Sequence, residues 1–356
     1  MNISIGILLA PYRIDFYNYL HDVLDFEIYF QTRTFRGQLY STDDIEQQCN
    51  FIPKYLRSFW LNGRIISRGL VKLIKEKDPQ FIIVPEFSIA TIQLILIKKL
   101  LGRRYQLISL CDDSYAMIKE GGFSKVHTYS RKLSLPFINN ILLTDLRAVN
   151  WYQQKYNKGI WLPLVQDERR IIQKENVIKE KADNYILNWH LQDTKIILFV
   201  GRLIEVKNLP VLFQACSMLT SPYRLIIIGD GEYREVWMKM CKDMNLNVDF
   251  IGKKNGEDLF AWYCVADIFV LPSRLEAFGA VANEALLFGC NCCISERAGS
   301  ACLIRKGVNG YTFNPYSPND LYEKLMLVWK MPRRSASKME HSFYEYMHDA
   351  FKFVLS

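Results

Sequence analysis

The sequence predicts an α/β protein with two Rossmann-like domains, each built on a parallel β-sheet. Short apolar runs alternate with amphipathic stretches along most of the chain, which is typical of strands joined by crossover helices. The chain has 356 residues, half of them apolar, which is more than one hydrophobic core usually serves. We therefore expect a first domain over residues 1–165, a second over 166–335 and a C-terminal helix within 336–356.

The first domain is predicted to alternate short strands with helices in the order expected for a parallel sheet. The polar segment Thr32–Asn50 shows little periodicity, so we expect a long loop there. Strands are expected at residues 2–9, 26–30, 80–84, 105–110, 140–143 and 160–162, and helices at 13–24, 57–77, 88–101, 125–135 and 145–156.

The second domain is predicted to repeat this alternation after a linker between Leu164 and Asp193. Charged and amide residues cluster in that linker without apolar periodicity. Further on, Gly289 is well placed to end a central helix. Strands are expected at residues 196–200, 225–228, 248–251, 268–271 and 291–294, and the other helices at 209–219, 233–244, 257–264, 319–329 and 341–355.

A strand, a polar turn and a helix follow one another between Leu271 and Gly289. The start of that helix offers free backbone N–H groups near Phe278, Gly279 and Ala280. Because such groups carry the positive end of the helix dipole, the loop is a candidate anion site.

Two acids bracket this helix start, Glu276 in the loop and Glu284 inside the helix. Ionised carboxylates only accept hydrogen bonds, so they suit the hydroxyl groups of sugars. A ligand with a sugar at one end, an anionic bridge and a ribose at the other end matches this spacing, and a nucleotide-sugar has that composition. The alternative is a solvated helix start with two surface acids.

Two cations follow an earlier strand of the same domain. The apolar run 196–200 leads into Gly201 and Arg202, and Lys207 comes five residues later. In open α/β folds, ligands bind at the edge where the strands end. Arg202 and Lys207 are therefore candidates for binding a diphosphate. The planar guanidinium of the arginine would donate two parallel hydrogen bonds, and the lysine would act as a point charge. An exposed basic loop is the alternative.

Several short motifs follow one another over residues 196–330. They are Gly201-Arg202-Leu203 with Lys207-Asn208, Ile228-Gly229-Asp230-Gly231, Phe250-Ile251-Gly252, Asp267–Ser273, the pair Glu276 and Glu284, and Gly307-Val308-Asn309-Gly310-Tyr311. In this order they resemble the C-terminal half of retaining glycosyltransferases of family 4, which have the GT-B fold of two Rossmann-like domains facing a cleft. The first half resembles the family only in its rhythm of strands and helices and in Pro11-Tyr12-Arg13.

The resemblance implies transfer of a sugar, with retention, from a nucleotide-sugar to a glycan or lipid-linked glycan in bacterial surface-polysaccharide synthesis. It implies no cofactor and no metal ion, because fixed cations serve the leaving diphosphate. Arg202 and Lys207 would neutralise that diphosphate, Glu276 would hold donor-sugar hydroxyls, and Glu284 would hold the ribose. The rest of the implied donor site is Gly201, Lys253 in the base-contacting loop, and the backbone at Phe278, Gly279 and Ala280.

Cys111, Asp112 and Asp113 follow a strand of the first domain, at a position where many family members have a donor-contacting histidine. We take Asp112 as a candidate donor-binding residue in its place. Adjacent acids are also compatible with a metal site. The resemblance further implies that the last helix crosses back to the first domain.

Two other functions fit a chain of this fold class. A nucleotide-cofactor oxidoreductase would need a GxGxxG turn after a strand, and none follows Leu9 or Val200. A non-catalytic sugar-nucleotide-binding subunit remains open, although the four charged candidates Arg202, Lys207, Glu276 and Glu284 favour an active enzyme.

The charge distribution points to an anionic membrane surface as a further partner. Residues 1–165 carry a net charge of +7, whereas residues 166–356 carry +1. The stretch Arg57–Lys77 has the pattern of a basic amphipathic helix, which either lies on anionic lipid or packs on its own sheet. The basic run Lys119–Lys132 adds to this charge. Nucleic acid is not expected, since the total charge is moderate and no recognition motif is visible.

The cysteine pattern predicts a cytoplasmic protein, and the charge distribution adds the expectation of a peripheral position on the inner face of the plasma membrane. Nine cysteines lack a CxxC spacing, and no secretory leader is recognisable. The longest apolar stretch, Phe87–Leu101, contains two lysines and is too short to span a bilayer.

Overall fold

The computed structural model describes residues 1–34, 41–121, 123–332 and 336–354, which form two compact units. The first unit contains residues 1–113, 117–164 and 345–354, and the second contains 114–116 and 165–344. Each unit is a parallel sheet with helices, so the predicted α/β class is confirmed. Part of the predicted loop Thr32–Asn50 lies outside the described residues.

The strands in the described part of the first unit are β1 (Asn2–Gly6), β2 (Phe26–Phe30), β3 (Lys54–Tyr55), β4 (Ser58–Leu61), β5 (Arg64–Ser67), β6 (Phe81–Pro85), β7 (Gln106–Cys111), β8 (Asn140–Leu143) and β9 (Ile160–Trp161). Seven of them form a parallel sheet in the order β3-β2-β1-β6-β7-β8-β9, and β4 and β5 form a separate pair. The helices of this half of the chain are α1 (Ile14–Asp22), α2 (Thr42–Glu46), α3 (Leu70–Lys77), α4 (Ile89–Leu100), α5 (Tyr115–Glu120), α6 (Lys125–Ser134) and α7 (Leu146–Tyr156).

The prediction of one basic amphipathic helix over Arg57–Lys77 was wrong. The segment forms an antiparallel hairpin of β4 and β5, followed by the short helix α3. Asn62 and Gly63 both have positive φ angles, of 47° and 72°, as a tight hairpin turn requires. Gly69, at φ 86°, then separates the hairpin from α3. The apolar residues that suggested a single helical face therefore belong to two different elements.

The second unit has a parallel sheet in the order β12-β11-β10-β13-β14-β15. Its core includes Ile197, Phe199 and Val270, all completely buried. The strands are β10 (Lys195–Val200), β11 (Tyr223–Ile228), β12 (Val248–Gly252), β13 (Ile268–Leu271), β14 (Asn291–Ser295) and β15 (Gly310–Phe313). The helices are α8 (Glu168–Ile172), α9 (Glu175–Asn188), α10 (Leu209–Ser217), α11 (Arg234–Asp243), α12 (Gly256–Val265), α13 (Val281–Leu287) and α14 (Pro318–Trp329), followed by α15 (Phe343–Val354).

The segment predicted as a linker is largely helical. Helix α9 packs along α12 within the second unit, where Lys181 pairs with Asp258 at 2.7 Å and Tyr185 stacks on Trp262 at 4.8 Å between ring centroids. Sequence periodicity missed α9 because its buried face consists mainly of Ile178 and Ala182. The segment is therefore part of a folded unit.

Helix α15 passes from the second unit into the first, since residues 345–354 belong to the first unit. There the ring of Phe351 lies 6.3 Å from that of Phe16 and 6.2 Å from that of Tyr19. Tyr346 meets Trp161 edge-on at 5.4 Å. Across the described ranges, no helix has both the length and the apolar composition needed to cross a membrane.

Candidate functional site

All of the predicted donor residues except Asp112 lie in the second unit, and the charged loops among them are at the edge of its sheet where the strand order changes direction. Strands β10 and β13 are neighbours, whereas the chain runs outward from β10 through β11 to β12 and outward from β13 through β14 to β15. Open α/β sheets bind ligands at the carboxyl ends of the strands next to such a point. The loop after β10 carries Arg202 and Lys207, and the loop after β13 carries Glu276.

Backbone contacts fix the loop that follows β10. The N–H of Leu203 donates to the carbonyl of Asp230 at 2.8 Å, and the N–H of Gly201 donates to the carbonyl of Ile228 at 3.0 Å. A Cβ atom at Gly229 would lie 1.8 Å from the carbonyl oxygen of Gly201, so only glycine permits this approach. The glycine turn after β11 therefore holds the backbone that presents Arg202.

The ammonium group of Lys207 pairs with the carboxylate of Glu276, and both side chains are mostly buried. The hydroxyl of Ser273 donates to the same carboxylate at 3.3 Å. A lysine ammonium has three N–H donors, so this pairing leaves donors for a second anion. The sequence predicted these two residues separately, and the structure brings them into direct contact.

Asn208 joins the two loops that carry this ion pair. Its side-chain amide donates to the carbonyl of Pro272 at 3.2 Å and to that of Pro315 at 2.8 Å. In addition, the N–H of Arg274 donates to the carbonyl of Val206 at 2.9 Å. These bonds hold the Lys207 loop against the loop that carries Glu276.

Arg202 offers an unused cation at the same edge. Its side chain is exposed, and its guanidinium forms no hydrogen bond or ion pair with any residue that the structure describes. Lys253 follows directly after β12 and is also exposed. Among the residues that the structure describes, this edge therefore has a guanidinium without a partner and a lysine in an ion pair, which favours an anionic ligand.

The helix after Glu276 is too short to have a strong dipole. Helix α13 has seven residues and begins at Val281, so Phe278, Gly279 and Ala280 lie before it. Within the described chain no acceptor takes up the N–H groups of these three residues. We therefore assign their attraction for an anion to three free N–H groups rather than to a helix dipole.

The backbone before α13 is held in place by a neighbouring segment. The N–H of Ser300 donates to the carbonyl of Phe278 at 2.8 Å, and the N–H of Gly299 donates to that of Glu276 at 3.2 Å. Gly279 has a φ of 88°, and a Cβ atom there would lie 2.7 Å from the side chain of Leu271. Glycine is therefore required at position 279, the middle one of the three residues before α13.

Glu284 lies inside α13 and is hydrogen-bonded on both carboxylate oxygens. The hydroxyl of Tyr263 donates to one at 2.8 Å, and the side-chain amide of Gln166 donates to the other at 2.7 Å. Burial raises the pKa of Glu284 to about 7, against the effect of these two bonds. Sequence reasoning missed both partners, because Gln166 lay in the predicted linker and Tyr263 in an apolar helix.

Asp112, the remaining predicted donor residue, lies in the first unit and pairs with Arg13. Arg13 follows β1 and is buried, so the two form an ion pair at the edge of the first sheet. The neighbouring Cys111 is completely buried at the end of β7, and burial raises its pKa. Asp112 therefore belongs to the first unit, whereas the other predicted donor residues belong to the second unit.

Comparisons with known proteins agree with this architecture. Residues 188–348 match the family model of group 1 glycosyl transferases. An uncharacterized glycosyltransferase of Methanocaldococcus jannaschii is 31% identical over 160 residues, which are 43% of this chain and 41% of that protein. An alpha-1,4-N-acetyl-D-galactosaminyltransferase of Campylobacter jejuni, whose name includes a PP-undecaprenol-linked glycan, is 29% identical over 41% of this chain and 42% of its own. These alignments span about two fifths of the curated relatives.

Solved structures extend the likeness to the whole chain. The crystal structure of Anabaena HepE in complex with UDP superposes with a TM-score of 0.75 and covers 98% of this chain and 95% of that one, at 14% identity. At this identity the likeness concerns the fold. The chain has the GT-B fold of two Rossmann-like α/β domains, as predicted.

Proposed function

We propose that the protein is a glycosyltransferase that moves a sugar, with retention, from a nucleotide-sugar to a glycan acceptor. The observation that carries this proposal is the cationic edge of the second sheet. Lys207 is held there by Glu276, Arg202 is unpaired within the described chain, and three N–H groups before α13 are free. A diphosphate is the anion that such a set of donors suits best.

In this proposal each residue of the edge contacts a different part of the donor. Arg202 and Lys207 stabilise the negative charge that develops on the departing diphosphate, which is the usual main contribution to such a reaction. Glu276 accepts hydrogen bonds from the transferred sugar, and Glu284 accepts one from the ribose through the lone pairs that Tyr263 and Gln166 leave free. Gly201 and Lys253 lie where the strands end and complete the donor site.

A panel of nucleotide-sugars tests this activity directly. Release of nucleoside diphosphate is measured for donors that differ in base and in sugar, first with water and then with glycan acceptors. We expect one donor to be consumed, and consumption to fall at least tenfold in Lys207→Ala. Lys195→Ala is the matched control, because Lys195 pairs with Asp267 at the opposite end of β10. Binding of a donor without turnover under any condition would support a non-catalytic subunit instead.

The acceptor in this proposal is a lipid-linked glycan of bacterial surface-polysaccharide synthesis, reached from the cytoplasmic face of the membrane. The Campylobacter relative supports this acceptor class, since its name specifies a PP-undecaprenol-linked glycan. The excess positive charge of residues 1–165 also supports an anionic lipid surface nearby. Because the helix predicted over Arg57–Lys77 does not exist, a different surface must make that contact.

Helices α4 and α6 provide a membrane-facing surface in place of that helix. The two helices pack together in the first unit, and each exposes apolar side chains next to lysines. Leu100 is 82% exposed beside Lys99, and Leu133 is 66% exposed beside Lys132. Exposed apolar side chains insert at the lipid interface, while each nearby cation adds about 1 kcal/mol on anionic lipid. The exposed apolar residues of the two helices are Leu96, Leu100, Val126, Tyr129 and Leu133.

Vesicle co-sedimentation tests this surface. Binding should require anionic lipid, weaken with salt, and fall about tenfold in Lys99→Glu/Lys132→Glu. The charge-matched control is Lys72→Glu/Lys75→Glu on α3, which should bind like the wild type. Equal loss in both variants would indicate unspecific charge attraction, and no binding of the wild type in low salt would rule out a membrane surface.

A further inference from the structure

The first unit contains a polar pocket that the donor site does not use. The pocket has a volume of about 320 Å³, within the usual size range of small-molecule sites. It lies at the carboxyl end of β6, between the hairpin turn and helices α4 and α6. The polar residues that line it are Asn62, Arg64, Glu86, Ser88, Ser124, His127 and Ser130.

Glu86 occupies this pocket in a backbone conformation that non-glycine residues rarely adopt, with a φ of 45°. Three hydrogen bonds maintain it. The N–H of Glu86 donates to the carbonyl of Leu110 at 2.7 Å, and its own carbonyl accepts from Ser109 Oγ at 2.8 Å and Thr91 Oγ1 at 3.2 Å. Conformations of this kind are strained and concentrate at functional sites.

The carboxylate of Glu86 has no hydrogen-bond donor among the described residues. Burial raises its pKa to about 7, repulsion from Asp112 and Asp113 adds to this, and His127 and Arg13 oppose it. A partly buried acid without a donor retains its full capacity to bind a ligand hydroxyl. Several ionisable groups interact electrostatically with the Glu86 carboxylate: Tyr12, Arg13, Cys111, Asp112, Asp113 and His127. Arg64 lines the same pocket.

His127 faces the pocket from α6 and is fixed by aromatic and acidic neighbours. Its ring stacks on Phe123 at 4.8 Å between centroids and meets Phe87 edge-on at 5.9 Å. Its Nε2 atom lies 3.7 Å from Asp113 Oδ1 and has no hydrogen bond within the described residues. The carboxylate of Asp113 thus lies beside the Nε2 edge of the ring and orients the imidazole.

Asp113 is itself held in position by two donors. The hydroxyl of Tyr152 donates to its Oδ2 at 3.1 Å, and Arg131 donates to the same oxygen at 3.3 Å. Its Oδ1 is thereby directed to His127. The pocket therefore combines an unpartnered acid with an oriented imidazole, both on elements that their surroundings fix.

We propose that this pocket binds a sugar ring of the acceptor, with Glu86 accepting a hydrogen bond from one hydroxyl and His127 contacting a second. The proposal rests on the glycosyltransferase function above and assigns residues to its acceptor. Carbohydrate fits this lining because a sugar ring presents several hydroxyl donors at once, whereas an anionic ligand would meet the charge of Glu86. Helix α6 carries His127 toward the pocket and the exposed Leu133 on its outer surface, which suits an acceptor attached to lipid.

The test observes His127 itself. The ring C–H signals of the five histidines are recorded by NMR, and His127→Gln identifies the signal of interest. Methyl glycosides of glucose, galactose and N-acetylglucosamine serve as probes. We expect a saturable shift of the His127 signal with at least one glycoside, about tenfold weaker in Glu86→Gln, since a charge-assisted hydrogen bond is lost.

The control is Glu76→Gln, which changes an exposed carboxylate on α3 and should bind the glycosides like the wild type. Sugar affinity of the wild type should rise as the pH passes through about 7, because Glu86 ionises there, and should stay flat in Glu86→Gln. An unmoved His127 signal across the panel, or equal affinity in Glu86→Gln, would overturn the proposal.

A parallel titration with UDP, GDP and ADP separates this inference from the proposed function. If a nucleotide binds while the His127 signal ignores every glycoside, the pocket assignment fails and the donor site stands. If the glycosides bind at His127 while no nucleotide binds, the donor site fails and the pocket remains a carbohydrate site. Melting temperatures of both Gln variants confirm that they are folded.

Discussion

The edges of the two sheets are built alike but leave different groups free. In each unit a cation from the loop after the first strand pairs with an acid from a later loop: Arg13 with Asp112 in the first, Lys207 with Glu276 in the second. Each edge also has a carboxyl group whose pKa is raised to about 7. Glu284 is hydrogen-bonded on both oxygens, whereas Glu86 has no donor among the described residues.

This difference indicates what each edge can bind. Counting only partners in the described ranges, the second edge keeps an unpaired guanidinium and unpaired N–H groups, so it attracts an anion. On the same count the first edge keeps an unpaired carboxylate and an oriented imidazole, so it attracts hydroxyl donors. A sugar transfer needs both kinds of site, one for the diphosphate of the donor and one for the hydroxyls of the acceptor.

Removing the lysine of the second edge should have the largest effect on catalysis. Lys207→Ala deletes a diphosphate contact and leaves the carboxylate of Glu276 buried without its cation, so we expect kcat/KM to fall about 100-fold. Arg202→Ala should cost less, about tenfold, because Arg202 is exposed. Steady-state kinetics with the identified donor measure both losses, and Lys195→Ala should keep the wild-type rate. Unchanged kinetics in Lys207→Ala would place the diphosphate elsewhere.

Replacing Glu284 and Glu86, the two residues with raised pKa values, by glutamine should have different effects on ligand binding. Glu284→Gln should weaken UDP binding about tenfold, because it removes the negative charge and replaces one acceptor oxygen by an NH2 donor, so the hydrogen bond from the ribose is no longer charge-assisted. Glu86→Gln should leave UDP affinity unchanged and weaken sugar binding instead. Calorimetric titration of both variants measures this, with Glu257→Gln on α12 as the neutral control. If Glu86→Gln lost UDP affinity as strongly as Glu284→Gln, the division of roles between the edges would be wrong.

The sequence predicted the second edge better than the first for a physical reason. At the second edge the functional groups follow directly from local patterns: a buried strand, a glycine turn and a charged loop, as in Gly201 to Lys207. These patterns form the same structure wherever they occur, because strand burial and glycine geometry are local properties. The ion pair between Lys207 and Glu276 then follows from the neighbouring positions of β10 and β13.

At the first edge the deciding features are not local. Glu86 follows an ordinary strand, and its backbone conformation depends on hydrogen bonds with Ser109 and Leu110, which are more than 20 residues away in sequence. The hairpin was missed for another reason. Its signal, Asn62-Gly63, was present, but the many apolar residues around it favoured a helical interpretation. A two-residue turn signal should have outweighed that periodicity.

The raised pKa values also predict how stability depends on pH. A carboxyl group whose pKa is higher in the folded protein contributes full stability below its unfolded pKa, near 4.5, and loses it as the pH rises through about 7. Glu284→Gln should therefore match the wild type at about pH 4.5 and exceed it by up to about 3 kcal/mol at about pH 8. Denaturant unfolding at the two pH values measures this. A variant less stable than the wild type at the higher pH would contradict the buried position of Glu284.

The smallest expected effect is that of removing metal ions. Because Arg202 and Lys207 supply fixed positive charge at the diphosphate, we expect EDTA to leave the rate of sugar transfer unchanged. The rate is measured with and without added manganese. Loss of activity that manganese restores would instead assign a metal to the acids at the first edge, Asp112 and Asp113.

The most direct test of the anion site is calorimetric titration of the wild type with UDP, GDP and ADP. We predict saturable binding of at least one diphosphate, retained in Lys195→Ala and reduced at least tenfold in Lys207→Ala. Wild-type affinity that persists in Lys207→Ala, or no binding of any of the three diphosphates, would contradict the assignment of the second edge as the nucleotide-sugar site.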